Sequence, residues 1–337
     1  MAETTLLNIK DLSVEYRTED EIVHAVNSLD LKLNAGENLG LVGETGAGKT
    51  TTALSILRLV ADPPGVITGG EILFQGEDLL KAKPDTLRRI RGNKISMIFQ
   101  DPMTSLNPVF TAGEQIADVI RLHQNVSKLE AREKAMQMLE MVGIPRDRYD
   151  EYPHQFSGGM KQRVVIAMSI ACSPQLLLAD EPTTALDVTI QAQVLELMNE
   201  LKTKLDTAMI LITHDLGIVA QTCDKVAIMY AGEIVESGTI REVFEFPHHP
   251  YTIGLFDSIP TLDSRQEKLK PIPGQMPDPT NLPVGCPFQP RCEYVREVCG
   301  KQKINSKYVG GSHEVKCLIY EGKVDALAFM EVVRRGR

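Results

Sequence analysis

The chain has 337 residues, 43% of them hydrophobic, enough for a large core and an appendage. Its net charge of -9 and pI of about 5.4 argue against bulk affinity for nucleic acid, whose backbone is bound through Lys and Arg. No apolar run is long enough to span a bilayer and residues 1–10 lack a leader pattern, so the chain and its six cysteines are expected in the reducing cytoplasm.

Short β-type runs come first, at residues 12–16, 29–33 and 38–42, with a turn at 34–37. A helix is expected over 49–60, stopping before Asp62-Pro63-Pro64-Gly65. Two further strands follow near 70–74 and 94–99. Residues 111–150 read as helical, with Ile116, Val119 and Ile120 on one face and Ala135, Met138, Leu139 and Val142 on another. A further helix starts after Gly159. The apolar run Leu176-Leu177-Leu178-Ala179 predicts a parallel strand buried on both faces. A helix over 187–206 and strands over 208–213 and 225–230 complete the pattern. This alternation predicts an α/β core with a helical insert. After about 245 the character changes, and seven prolines between 271 and 290 exclude regular helix or a central strand. The expected division is 1–245, with the insert over about 101–165, and an extension over 246–337.

Gly43-Glu44-Thr45-Gly46-Ala47-Gly48-Lys49-Thr50 fits a phosphate loop, with a strand before it and a helix after it. Gly43, Thr45, Gly46, Ala47, Gly48, Lys49, Thr50 and Thr51 are the candidate ATP-binding residues. Lys49 is expected to reach the β- and γ-phosphates, and Thr50 to hold Mg²⁺. Asp180 ends a buried strand, so its carboxylate is held near the metal. Glu181, one residue on, can polarise a water for attack on the γ-phosphate. Gln100 follows an apolar strand and is placed to touch metal and water. His214 ends another strand and can sense the γ-phosphate, while Tyr16 can stack on the adenine base. Ser157, Gly158 and Gly159 form a second phosphate-binding device, a hydroxyl and bare N–H groups before a helix.

Together these motifs resemble the nucleotide-binding subunit of an ABC transporter over about residues 6–240. Residues 43–50 resemble Walker A, Gln100 the Q-loop, 157–160 the signature, 176–181 Walker B, 185–187 the D-loop and His214 the switch histidine. The sequence departs from the pattern at Phe156, where Leu is usual, at Met160, where Gln is usual, and at Ala47, where Ser is common. The resemblance implies a P-loop NTPase, with a RecA-like core, an antiparallel β subdomain, a helical insert and a small irregular C-terminal extension. It further implies ATP, with Mg²⁺ held through Thr50, Gln100 and Asp180. A second ABC ATPase, identical or homologous, would pair head to tail, so that each ATP lies between one chain's Walker A and the other's signature.

Cys286, Cys292, Cys299 and Cys317 follow the spacing C-x5-C-x6-C-x17-C. That matches neither a C-x2-C zinc pattern nor the short ferredoxin run, so the residues leave zinc, iron–sulfur and free thiols open. Cys172 and Cys223 are expected to be buried small hydrophobes, and His313 to be a surface residue with ligation as its alternative. Residues 285–292, preceded by His249-Pro250-Tyr251-Thr252, resemble the C-terminal extension of dipeptide and oligopeptide importer ATPases. That resemblance implies a [4Fe–4S] cluster on the four cysteines, structural or regulatory in role. It implies a subunit at the cytoplasmic face of the membrane that drives two membrane permeases docked near 101–150, served by an extracytoplasmic substrate-binding protein. Import of nickel or an oligosaccharide would keep the same role. A soluble ABC ATPase of DNA repair or translation is disfavoured by the lack of coiled coils, tandem units and basic surface.

Overall fold

The computed structural model describes residues 4–184, 186–258 and 271–321. The chain opens with two long strands, β1 (Thr5–Arg17) and β2 (Ile22–Asn34), then β3 (Asn38–Val42) and helix α1 (Lys49–Ile56). Next come β4 (Gly65–Phe74), the short β5 (Glu77–Asp78), α2 (Pro84–Ile90) and β6 (Ile95–Ile98). Four helices follow: α3 (Pro102–Ser105), α4 (Ala112–His123), α5 (Lys128–Met141) and α6 (Gly158–Ile170). The α/β alternation resumes with β7 (Leu176–Asp180), α7 (Val188–Leu205), β8 (Ala208–Thr213), α8 (Leu216–Thr222) and β9 (Lys225–Tyr230). Then come β10 (Glu233–Thr239), α9 (Ile240–Glu245), α10 (Pro250–Asp257), β11 (Lys307–Gly310) and β12 (His313–Val315).

Among the described residues the strands form two sheets. The antiparallel one runs β2-β1-β4-β5. The larger runs β11-β12-β10-β9-β3-β8-β7-β6, parallel from β9 to β6 and antiparallel beyond β9. Its central strands alternate between two cores, because side chains alternate faces with period two. Leu176 and Leu178 of β7 join the core beneath the antiparallel sheet, with Ile9, Ile56 and Ile72. Leu177 and Ala179 join the helical core, with Ile116, Ile120 and Val164. A strand apolar at every position is therefore what this location requires.

The helical insert differs in detail from expectation. Residues 111–150 break into α4, α5 and a 3₁₀ turn at Arg146–Asp150. The break is written in the sequence: Ser127 and Glu130 form a capping box, which starts a new helix. Helix α1 ends four residues before expectation, where Arg58 takes a left-handed φ of 49°. No helix among the described residues is long and apolar enough to cross a membrane.

The segment beyond 245 packs onto the large sheet. β12 pairs with β10 at Glu236↔Val315 and Ser237↔Glu314. Tyr251, tilted, and Phe288, edge-on, pack against Tyr230, with ring centroids 4.6 and 5.2 Å from it. Residues 271–288 form no helix or strand, as their prolines require.

Candidate active site

The phosphate loop joins β3 to α1, and backbone crowding dictates its glycines. Gly48 has φ 99°, and a Cβ there would lie 2.3 Å from the Ala25 carbonyl oxygen. A Cβ on Gly43 would lie 2.1 Å from the Met229 carbonyl oxygen. The loop is tied to the turn after β9, since Gly232 N–H donates to the Ala47 carbonyl at 3.0 Å. Lys49 Nζ donates to the carbonyls of Gly43 at 2.7 Å and Glu44 at 3.0 Å. Burial pushes its ammonium below the ordinary lysine value, against the opposing pull of Glu181, Asp180 and Glu44.

Asp180 sits at the tip of β7, 2% exposed. Burial pushes its carboxyl up, and a hydrogen bond from the Thr50 hydroxyl offsets part of that. The two candidate metal ligands Thr50 and Asp180 are therefore in direct contact. Glu181 follows with a left-handed φ of 45°, which turns its side chain out of the sheet. Its Oε2 accepts from Gln100 Nε2 at 2.9 Å and from Thr184 Oγ1 at 2.9 Å. Its Oε1 lies 3.1 Å from His214 Nδ1. Burial raises the Glu181 carboxyl, but the His214, Thr184 and Gln100 hydrogen bonds overcome it and hold the group below the usual carboxylate range. Residues far apart in sequence thus meet at one carboxylate: Gln100 after β6, Glu181 after β7 and His214 after β8. All lie at the carboxyl ends of parallel strands, where open α/β sheets place their ligands. Thr184 was missed by the motif reading.

Tyr16, in β1, reaches across to α1, its Oη 3.2 Å from Thr51 Oγ1. It is thereby beside the loop rather than within it. Ser157 caps α6, its hydroxyl accepting from Met160 N–H at 3.4 Å. Gly158 and Gly159 form the first turn, where helical N–H groups have no partner within the helix. A Cβ on Gly159 would lie 2.5 Å from Ile190 Cγ2, so its bareness lets α6 approach α7. Within this chain the exposed 157–159 turn lies against the start of α7 and is flanked by Phe156 and Met160 of the helical core, whereas the phosphate loop's Ala47 belongs to the other core. The two departures from the signature pattern share one neighbour. Arg148 lies over the Phe156 ring at 4.7 Å and donates to Met160 Sδ at 3.3 Å. Of residues 185–187, Ala185 lies outside the described residues, while Asp187 caps α7 by accepting from Ile190 N–H at 3.0 Å.

Cys286, Cys292, Cys299 and Cys317 line one cavity of about 20 Å³, walled largely by apolar side chains such as Phe288, Ile304 and Leu318. Burial pushes the Cys286 and Cys317 thiols up to about 12 and the Cys292 thiol up to about 11. Among the described residues no group of three or more His, Cys, Asp or Glu side chains is arranged to hold a metal ion. Thiols are donors that suit a soft metal, but the four cysteines are not drawn together as a ligand set and the cavity they line is about the size of one water. His313 is not at the surface. It is 3% exposed and its Nε2 lies 2.7 Å from Glu236 Oε1. Burial likewise pushes the Cys223 thiol up to about 11.

Residues 26–184 match the ABC transporter family, and 235–299 match the oligopeptide/dipeptide transporter C-terminal region. The oligopeptide transport ATP-binding protein OppD of Bacillus subtilis is 50% identical over 316 residues, covering 93% of this chain and 88% of that one. OppD of Escherichia coli is 53% identical over 296 residues, 87% of each chain. Among solved structures, the dimeric post-hydrolysis state of the ATP-binding cassette MJ0796 bound to ADP and Pi superposes with a TM-score of 0.63 at 27% identity. It covers 70% of this chain and 99% of that one. On this sequence, fold and site, the chain belongs to the ATP-binding proteins of the ABC transporter family.

Proposed function

We propose that this chain hydrolyses ATP to energise a dipeptide or oligopeptide importer at the cytoplasmic face of a membrane. The observation that carries the ATPase reading is the meeting of Gln100, Thr184 and His214 on Glu181, one residue beyond Asp180. In this reading Lys49 and the loop N–H groups bind the β- and γ-phosphates. Thr50, Asp180 and Gln100 would hold Mg²⁺, which neutralises charge between the phosphates when bound. Glu181 orients the attacking water and takes its proton, and His214 keeps the carboxylate in place. Tyr16 faces the base, and Ser157, Gly158 and Gly159 cradle the ATP of a second ABC ATPase subunit. The chain drives two permeases and depends indirectly on an extracytoplasmic binding protein that selects cargo.

The peptide reading is supported by the match of residues 235–299 and by the named relatives. It is tested by reconstituting the co-purified membrane complex in vesicles with its binding protein. ATP-dependent uptake of a labelled oligopeptide is expected. Uptake of nickel or an oligosaccharide instead, or failure to co-purify with permeases, overturns it.

We infer also that Cys286, Cys292, Cys299 and Cys317 hold a [4Fe–4S] cluster, with zinc as the alternative. Support comes from their shared cavity and from the irregular chain around it, which a bound centre would tie together. Anaerobically purified protein should be brown and contain iron and acid-labile sulfide. A colourless protein with one zinc and no iron overturns the cluster.

A further inference from the structure

We propose that Tyr251 and Arg291, both from beyond residue 245, are positioning residues for the phosphate loop and act through Glu44. The proposal rests on the reading of residues 43–51 as the ATP site. Glu44 is the second residue of the loop and is held from both its backbone and its side chain. Its N–H donates to Tyr251 Oη at 3.1 Å. Both its carboxylate oxygens accept from Arg291 Nη1, each at 3.0 Å.

The backbone contact orients one peptide plane. The N–H of Glu44 and the carbonyl of Gly43 belong to the same rigid amide. One end of that amide is fixed by Tyr251, and the other accepts the Lys49 ammonium at 2.7 Å. Tyr251 therefore sets the direction of a carbonyl that seats the phosphate-binding lysine. Tyr251 has no freedom to drift, since it is fully buried and packed at a tilt against the Tyr230 and Phe288 rings.

The side-chain contact governs charge. A nucleoside triphosphate brings several negative charges to this loop, and Glu44 adds another beside Lys49. Unpaired, the Glu44 carboxylate would repel the phosphates and compete for the Lys49 ammonium. Arg291 cancels it from a fixed position. Arg291 is 8% exposed, and its Nε donates to the Pro273 carbonyl at 3.0 Å. Arg291 is buried and Glu44 partly so, and a partly buried pair is screened by salt less than an exposed one, so its loss would be felt at the loop. Arg291 also belongs to the 3₁₀ turn Gln289–Arg291, which runs straight into Cys292. One turn therefore carries both the loop's counter-charge and a wall of the cysteine cavity.

The test uses the full-length chain and the reconstituted transporter, with a fluorescent ATP analogue for affinity and steady-state hydrolysis for KM and kcat. Arg291→Met is expected to raise Kd and KM for ATP about tenfold with kcat within about twofold, tenfold corresponding to about 1.4 kcal/mol. Adding Glu44→Gln to Arg291→Met is expected to restore most of the affinity, because the charge that needed cancelling is gone. Tyr251→Phe removes one hydroxyl, keeps the ring packing, and is expected to raise KM a few-fold. It stands in if Arg291→Met fails to fold. Unchanged KM in Arg291→Met, a double variant no better than the single one, or unchanged KM in Tyr251→Phe would overturn the proposal. Lys49→Ala separates the two levels. If it still binds the analogue, the ATP-site reading itself fails. If it does not bind while Arg291→Met behaves as wild type, only the positioning role fails.

Discussion

The carboxylates of the proposed ATP site and the C-terminal thiols are two clusters of ionisable groups built on different scaffolds. Asp180 and Glu181 stand at the end of a strand whose every neighbour is regular sheet; hydrogen bonds hold the Glu181 carboxyl below the usual carboxylate range, while burial, offset only in part by the Thr50 hydroxyl, raises that of Asp180. The four cysteines stand on irregular chain, walled by apolar side chains, and burial pushes Cys286, Cys292 and Cys317 toward the neutral thiol. The first plan holds the Glu181 charge ready for the proposed chemistry at the tip of a regular sheet. The second uses its groups as part of the scaffold.

That contrast can be broken or sharpened by substitution. The largest effect is expected for Glu181→Gln, which should cost about 10²- to 10⁴-fold in ATP hydrolysis, the range for a general base. ATP binding and thermal midpoint should stay near wild type, as measured by analogue binding and calorimetry. Full hydrolysis in this variant would remove Glu181 as the base. Next, Cys286→Ser places a hydroxyl in an apolar site and should lower stability by about 1–3 kcal/mol, read as a lower urea midpoint. Its kcat per folded molecule should change little. A kcat loss as deep as that of Glu181→Gln would erase the distinction between the two regions.

The smallest effect concerns acid. His249 is fully buried near the cysteines, and desolvation pushes it down from 6.5 to about 4, with Glu236 pulling the other way. The unfolded chain therefore protonates first as pH falls, so acid favours unfolding between about 6.5 and 4. At pH 5.5 the cost should be about 1 kcal/mol. His249→Asn, whose side-chain oxygen can still accept from Tyr251 N–H, should flatten urea midpoints across that window. An unflattened profile assigns the acid sensitivity elsewhere. Glu181, held below the usual carboxylate range, should stay ionised through the same window.

Much of the first region was legible because its signals are local. Gly48-Lys49-Thr50 and the run ending in Asp180 each announce themselves within a few residues, and their joint order made the fold readable. The strands at Asn38–Val42, Ala208–Thr213 and Lys225–Tyr230 stand where the pattern placed them. In the second region the sequence showed irregular, Pro-rich chain and four cysteines, but not what they touch. Its decisive contacts join residues with no shared pattern: Arg291 and Glu44 are separated by 247 positions. Burial of His313 against Glu236 likewise depends on β12 joining β10, and three residues of strand give no periodicity to read. Thr184, three residues after Glu181, was within reach of the sequence, since a hydroxyl one turn beyond a carboxylate can bond back to it.

The pairing of β12 with β10 has a consequence for any shortened form of the protein. A chain cut at residue 245 would lose the strand that covers β10 and leave a row of backbone donors and acceptors open to solvent. It would also uncover the Tyr230 ring that Tyr251 and Phe288 now shield. Such a fragment would carry every recognised ATP motif and yet present a sticky edge to its neighbours, favouring intermolecular strand exchange and precipitation. The minimal cassette suggested by the motifs is therefore not the minimal soluble unit of this molecule.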